Sequence, residues 1–117
     1  MNISFEYDKN PKISNLEIKE IRQRIIESSK EIEKNFPLIK ECLDKLEQNN
    51  EYFEINYPIF EYGITLTFAK LRKKFLVTVS DHVNRKVFGL LLLEGVSCLD
   101  IEELKELKKW ENWNKNS

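Results

Sequence analysis

Residues 64–80, Ile-Thr-Leu-Thr-Phe-Ala-Lys-Leu-Arg-Lys-Lys-Phe-Leu-Val-Thr-Val-Ser, alternate between apolar and polar side chains twice over. Ile64, Leu66 and Phe68 interleave with Thr65, Thr67 and Ala69, and Phe75, Val77 and Val79 interleave with Leu76, Thr78 and Ser80. A period of two belongs to an extended strand, whose successive side chains point to opposite faces. Two such runs around the basic segment Lys70–Lys74 predict a β-hairpin with that segment as its loop.

The flanking segments extend the sheet. Asp81–Lys86 is a polar connection, and Val87–Leu93 is apolar on both sides, which predicts a central strand covered at least in part on both faces. Upstream, Tyr52–Asn56 predicts another strand, which Tyr57-Pro58 bends or breaks. Residues 2–7 alternate as well, with Ile3, Phe5 and Tyr7 on one side, and predict a short half-buried strand.

Between these strands lies a helical pattern. Ser14 with Glu17 three residues on forms a capping box. Ile18, Ile21, Ile25, Ser28, Ile32, Phe36, Ile39, Leu43 and Leu46 then recur at spacings of three and four, one apolar stripe on a long amphipathic helix. Pro37 predicts a kink, or two helices meeting near residues 35–37. The stripe also fits heptads. The strands that follow need a cover and the proline spoils a supercoil, so a helix packed on its own sheet is the expectation. Asp100 and Glu103 form a second capping box before a short helix carrying Ile101, Leu104 and Leu107 inward, and residues 112–117 are expected to fray. The predicted fold is α+β: a mostly antiparallel sheet of four to five strands, a long Pro-kinked N-terminal helix and a short C-terminal helix, in the order β-α-ββββ-α. One domain spans residues 1–117.

Composition narrows the function classes. The 117 residues are 41% hydrophobic and 33% charged, which describes a folded globular chain and not a disordered one. Neither a secretory leader nor an apolar run long enough to span a bilayer is visible, so a cytoplasmic protein without membrane contact is expected. Cys42 and Cys98 are then reduced packing residues, because they follow no metal spacing and form no Cys-x-x-Cys pair. The single histidine, His82, stands beside Asp81, but no nucleophile elbow surrounds Ser80 or Ser97, and a solvated loop histidine is the expectation. Carboxylate pairs such as Glu102–Glu103 and Glu31–Glu33 fall on charged helix faces. The chain therefore reads as a non-enzyme with no metal or cofactor.

Charge is sorted along the chain. Residues 51–62, Glu-Tyr-Phe-Glu-Ile-Asn-Tyr-Pro-Ile-Phe-Glu-Tyr, combine five aromatics with three acids and no base. Tyrosine is enriched at binding surfaces and carboxylates speed encounter with a basic partner. Glu51, Tyr52, Glu54, Tyr57, Glu61 and Tyr62 are accordingly the candidate residues for binding a protein partner with a basic surface. Lys70, Arg72, Lys73 and Lys74, joined by Arg85 and Lys86 if both connections meet at one end of the sheet, are the alternative, a nucleic-acid site. The slightly acidic total, −1, and the lack of interleaved aromatics argue against nucleic acid.

In size and general character the chain resembles the immunity proteins that bacteria encode beside secreted toxins, nucleases among them. Phage-borne inhibitors of host defence share the same profile. The resemblance implies an inhibitor that neutralises a protein by covering its functional surface.

Overall fold

The computed structural model describes residues 2–7, 14–48, 54–71 and 73–107. Their order is β1 (Ile3–Glu6), α1 (Asn15–Lys34), α2 (Phe36–Gln48), β2 (Glu54–Ile59), a 3-10 turn (Phe60–Tyr62), β3 (Ile64–Leu71), β4 (Lys74–Asp81) and β5 (Val87–Leu93). Residues 101–107 form a further short helix, α3. The five strands make one sheet in the order β1-β5-β4-β3-β2, every pair antiparallel. The α+β class and the antiparallel sheet agree with the sequence pattern. None of the helices described is long and apolar enough to cross a membrane.

The sheet's alternation settles which residues are inside. Leu66 faces Val79 and Phe68 faces Val77 across the β3–β4 pair, so these four share one face. All four are fully buried, as are Ile64 and Leu91. The isoleucine and leucine stripe of the helices covers them: Ile21, Ile25 and Ile32 from α1, and Ile39, Leu43 and Leu46 from α2. Each such side chain contributes roughly 1.5–3 kcal/mol when fully removed from water. The stripe is thus spent on the chain's own sheet and not on a coiled coil. Ser28 sits within it with its hydroxyl donating to the Ile25 carbonyl at 3.1 Å, which satisfies the buried oxygen.

The long helix is two helices. α1 ends at Lys34, and Asn35 adopts φ −95° and ψ 10°. Its side-chain nitrogen donates to the Glu31 carbonyl and its own carbonyl accepts from the amides of Leu38 and Ile39, so one residue closes α1 and opens α2. Pro37 lies in the first turn of α2, where a missing amide costs nothing. Both halves of the Ser14–Glu17 box are present. Only half of the second box forms: the Asp100 carboxylate accepts from the Glu103 amide at 2.8 Å, while the Glu103 carboxylate binds Lys74 at 2.7 Å.

Two strand expectations change. Tyr57-Pro58 does not break β2, which runs through to Ile59. β2 is an edge strand with β3 on one side only, and an edge tolerates a residue lacking an amide. The β3–β4 loop is shorter than expected, because Lys70 pairs with Phe75 and Leu71 with Lys74 inside the ladder.

The opposite face of the sheet is covered at one end only. The Glu6 carboxylate accepts from the Ile101 amide, and Lys74 holds Glu103, so α3 is tied to both β1 and β4 on that face. Leu90, Ala69 and Leu99 are buried at this end. Toward residues 56, 65, 80 and 87 none of the described helices covers the face.

β1 approaches β5 most closely at Gly89. A Cβ there would collide with the Glu6 carbonyl oxygen and lie 2.7 Å from the Phe5 ring. Overpacking against backbone has little room to relax, so Gly89→Ala is expected to cost about 3 kcal/mol. Urea unfolding checks this value; a loss of a few tenths would show that β1 shifts freely.

Candidate functional site

The end of the sheet face that α3 does not reach carries a groove of about 710 Å³. Its floor follows from the period-two alternation. Thr65 and Thr67 of β3 and Thr78 and Ser80 of β4 are the polar alternates of the buried apolar set, and Glu54, Asn56 and Pro58 extend the floor across β2. The hydroxyls are partly tied together. Thr67 Oγ1 donates to Asn56 Oδ1 at 2.9 Å, and Ser80 Oγ donates to the Thr65 carbonyl at 3.4 Å.

The β4–β5 connection forms one wall, with Asp81, His82, Val83 and Arg85 reaching the groove. Asp81 shapes it. One carboxylate oxygen accepts from the Val83 amide at 3.2 Å and the other from the Asn84 side chain at 2.9 Å. Its backbone carbonyl accepts from the Arg85 amide at 2.8 Å, and its amide donates to the Lys86 carbonyl at 2.9 Å. Arg85 is pushed to φ +56°, a left-handed conformation uncommon for a side chain with a Cβ. The loop is fastened to α1 by Lys86, whose ammonium lies 3.1 Å from Glu17. The Ser14 amide, together with Lys86, holds the Glu17 carboxyl below its ordinary value.

His82 is not a free loop residue. Its Nδ1 lies 2.9 Å from Thr65 Oγ1 and its amide donates to the Gly63 carbonyl at 3.0 Å. Its ring meets Phe60 edge to face, with centroids 4.6 Å apart. Phe60 begins the 3-10 turn that Gly63 closes at φ +65°, and it is 70% exposed. An aromatic ring held on one side by an imidazole and open on the other is a ready contact surface.

The expected partner-binding residues are dispersed. Glu51 and Tyr52 lie outside the described residues. Glu54 is exposed and lines the groove, and Glu61 is exposed beside Phe60. Tyr57 and Tyr62 are half-buried and pack against the core; burial pushes the Tyr57 hydroxyl above its usual range. Phe60 is the outward ring of the segment, and no periodicity marks it, because the strand ends one residue before it. Thr65, Thr78 and Ser80 were visible as the polar alternates of a hairpin, but their convergence with His82 was not.

The basic residues do not gather either. Arg72 lies outside the described residues. Lys70 and Lys74 occupy the faces of their partners Phe75 and Leu71, which are opposite faces of the sheet. Lys74 is engaged by Glu103, whose hydrogen bond raises its pKa. Arg85 and Lys86 sit at the other end of β4, a strand of eight residues and hence roughly 25 Å away. Cys98 and Ser97 flank Phe75 at that far end from His82, and burial pushes the Cys98 thiol up, away from a reactive thiolate. Among the described residues no three His, Cys, Asp or Glu side chains are placed to hold a metal ion.

Two measurements probe this wall. His82→Ala removes a hydrogen bond and an aromatic edge contact, and is expected to cost about 1 kcal/mol in urea unfolding; a solvated loop residue would cost nothing. The Glu17 contribution has a definite sign. Its folded pKa is depressed, so its stabilisation is fully present above the ordinary carboxylate value of 4.5 and is lost as pH falls through the lower folded value. Glu17→Gln is therefore expected to flatten the acid limb of the melting-temperature profile in that window, without altering its slope above neutrality.

Comparison with protein-family models, characterised proteins and solved structures finds no match to this chain.

Proposed function

We propose that this chain is a non-enzymatic binding protein that neutralises a protein partner by covering its functional surface, in the manner of an immunity-type inhibitor. The docking surface is the open end of the sheet. One observation carries this reading. Among the described residues six large hydrophobics are exposed; two of them, Val83 and Val87, line one groove, and a third, Phe60, packs against the His82 ring in its wall. Apolar side chains gathered around a polar floor are the composition of a protein contact: anchors that exclude water beside hydroxyls that fix register. Glu54 lines this groove from β2 and Glu61 is exposed next to Phe60 in the chain, and these acids suit a partner that is basic there.

The test begins by placing a photo-crosslinking residue at position 83 in cells of the source organism and identifying the protein it captures. Phe60→Ala is then expected to weaken binding of that purified protein by about thirtyfold, equivalent to about 2 kcal/mol. Ile26→Ser, on the outer side of α1, serves as the control, since Ile26 is exposed but remote from the groove. Equal effects of the two substitutions, or none from Phe60→Ala, would sink the assignment of this face.

A further inference from the structure

We infer that Arg85, with the Thr78 hydroxyl in the same groove, forms an oxyanion-binding subsite, whose ligand is a carboxylate side chain of the protein partner. The inference rests on the docking face proposed above and adds the chemistry at one end of it.

Three observations converge on Arg85. It lines the groove, together with His82, Thr65, Thr78 and Ser80. Among the described residues no carboxylate pairs with it: Asp81, the nearest in sequence, accepts instead from the Val83 amide and the Asn84 side chain. Its backbone is held at φ +56°, where glycine or asparagine fits at lower cost. A charged side chain kept at a strained position, aimed into a groove and without an acid of its own, is poised for an external one. The guanidinium offers a planar fork that matches a carboxylate or phosphate through two parallel hydrogen bonds. Of the groove hydroxyls, Thr67 donates to Asn56, Ser80 to the Thr65 carbonyl and Thr65 is paired with His82, which leaves Thr78 as the neutral donor for an incoming oxygen.

The choice of carboxylate over phosphate follows from the acids present. The Asp81 carboxylate, which accepts only from an amide and a side-chain amide, lines the same groove. A phosphate group carries close to two negative charges at neutral pH and meets more repulsion there than a carboxylate.

The experiment needs only the purified protein. Sodium acetate, standing in for a carboxylate side chain, and inorganic phosphate are titrated separately, followed by NMR of the Arg85 side chain and the amides of residues 65, 78 and 82. Acetate is expected to give saturable millimolar shifts confined to these positions, absent in Arg85→Asn and retained in Lys73→Asn. Arg85→Asn is also expected to melt a few degrees higher than the parent, because asparagine tolerates the left-handed backbone. Shifts of equal size at Lys73 and Lys86, persistence in Arg85→Asn, or a lower melting temperature for that variant would each overturn the subsite. Phosphate binding tenfold or more tighter than acetate would overturn the carboxylate assignment in favour of a phosphorylated or free phosphate ligand. Failure of the Phe60 variant to weaken a partner removes the docking face but leaves the acetate result standing, so the two readings fail separately.

Discussion

A five-stranded sheet has two faces, and the described chain covers one of them fully and the other only in part. α1 and α2 bring enough isoleucine and leucine to seal Phe68, Leu66, Val77 and Val79. What remains for the other face is α3 and the turn before it, which reach Leu90 and Ala69 but stop short of Thr65 and Ser80. The strands answer this shortage residue by residue. On the open side β3 and β4 carry threonine and serine toward the Asp81 end and alanine and leucine toward the α3 end. Because the side-chain period is two, one register assignment places the core, the small second cluster and the polar floor together.

The walls of the groove owe their shape to local hydrogen bonding and not to bulk. Asp81 folds the β4–β5 connection with four hydrogen bonds to residues within five positions, and a register shift between Val79 and Ser80 turns the strand end toward it. The 3-10 turn on the other side is joined to this loop through Phe60 and His82. Glu17, already engaged in capping α1, also holds Lys86, which links the far helix layer to the wall. A binding surface made of loops gains precision when each loop is fastened to a regular element, and both loops here are.

Charge illustrates how folding redistributes a linear signal. The basic run from Lys70 to Lys74 looks like one patch when written in a line. In the hairpin, Lys70 and Lys74 fall on opposite faces, and Glu103 takes up Lys74. The antiparallel topology also places Arg85 at the end of β4 remote from that turn, where it is the one cation among the described residues that line the groove. A lone guanidinium in such a setting discriminates by geometry, whereas a cluster would attract polyanions without discrimination.

Local pattern alone determined much of this protein. The hairpin over residues 64–80, the central place of the strand Val87–Leu93 in the sheet, the Ser14–Glu17 cap and the buried stripe from Ile18 to Leu46 all depend on residues within a turn or a strand of one another, and each is present in the structure. The break at Asn35, with Pro37 in the following turn, was legible for the same reason. Tertiary structure decided the rest. Pro58 stays in a strand because β2 lies at the sheet edge, and Glu103 leaves its capping position because Lys74 lies opposite it. Tyr57 and Tyr62 turn to the core while Phe60 turns out, and His82 finds Thr65 from the other end of a hairpin. Those outcomes depend on contacts between residues far apart in the chain, whose energies compare with the local preferences they override, so no window of sequence contains them.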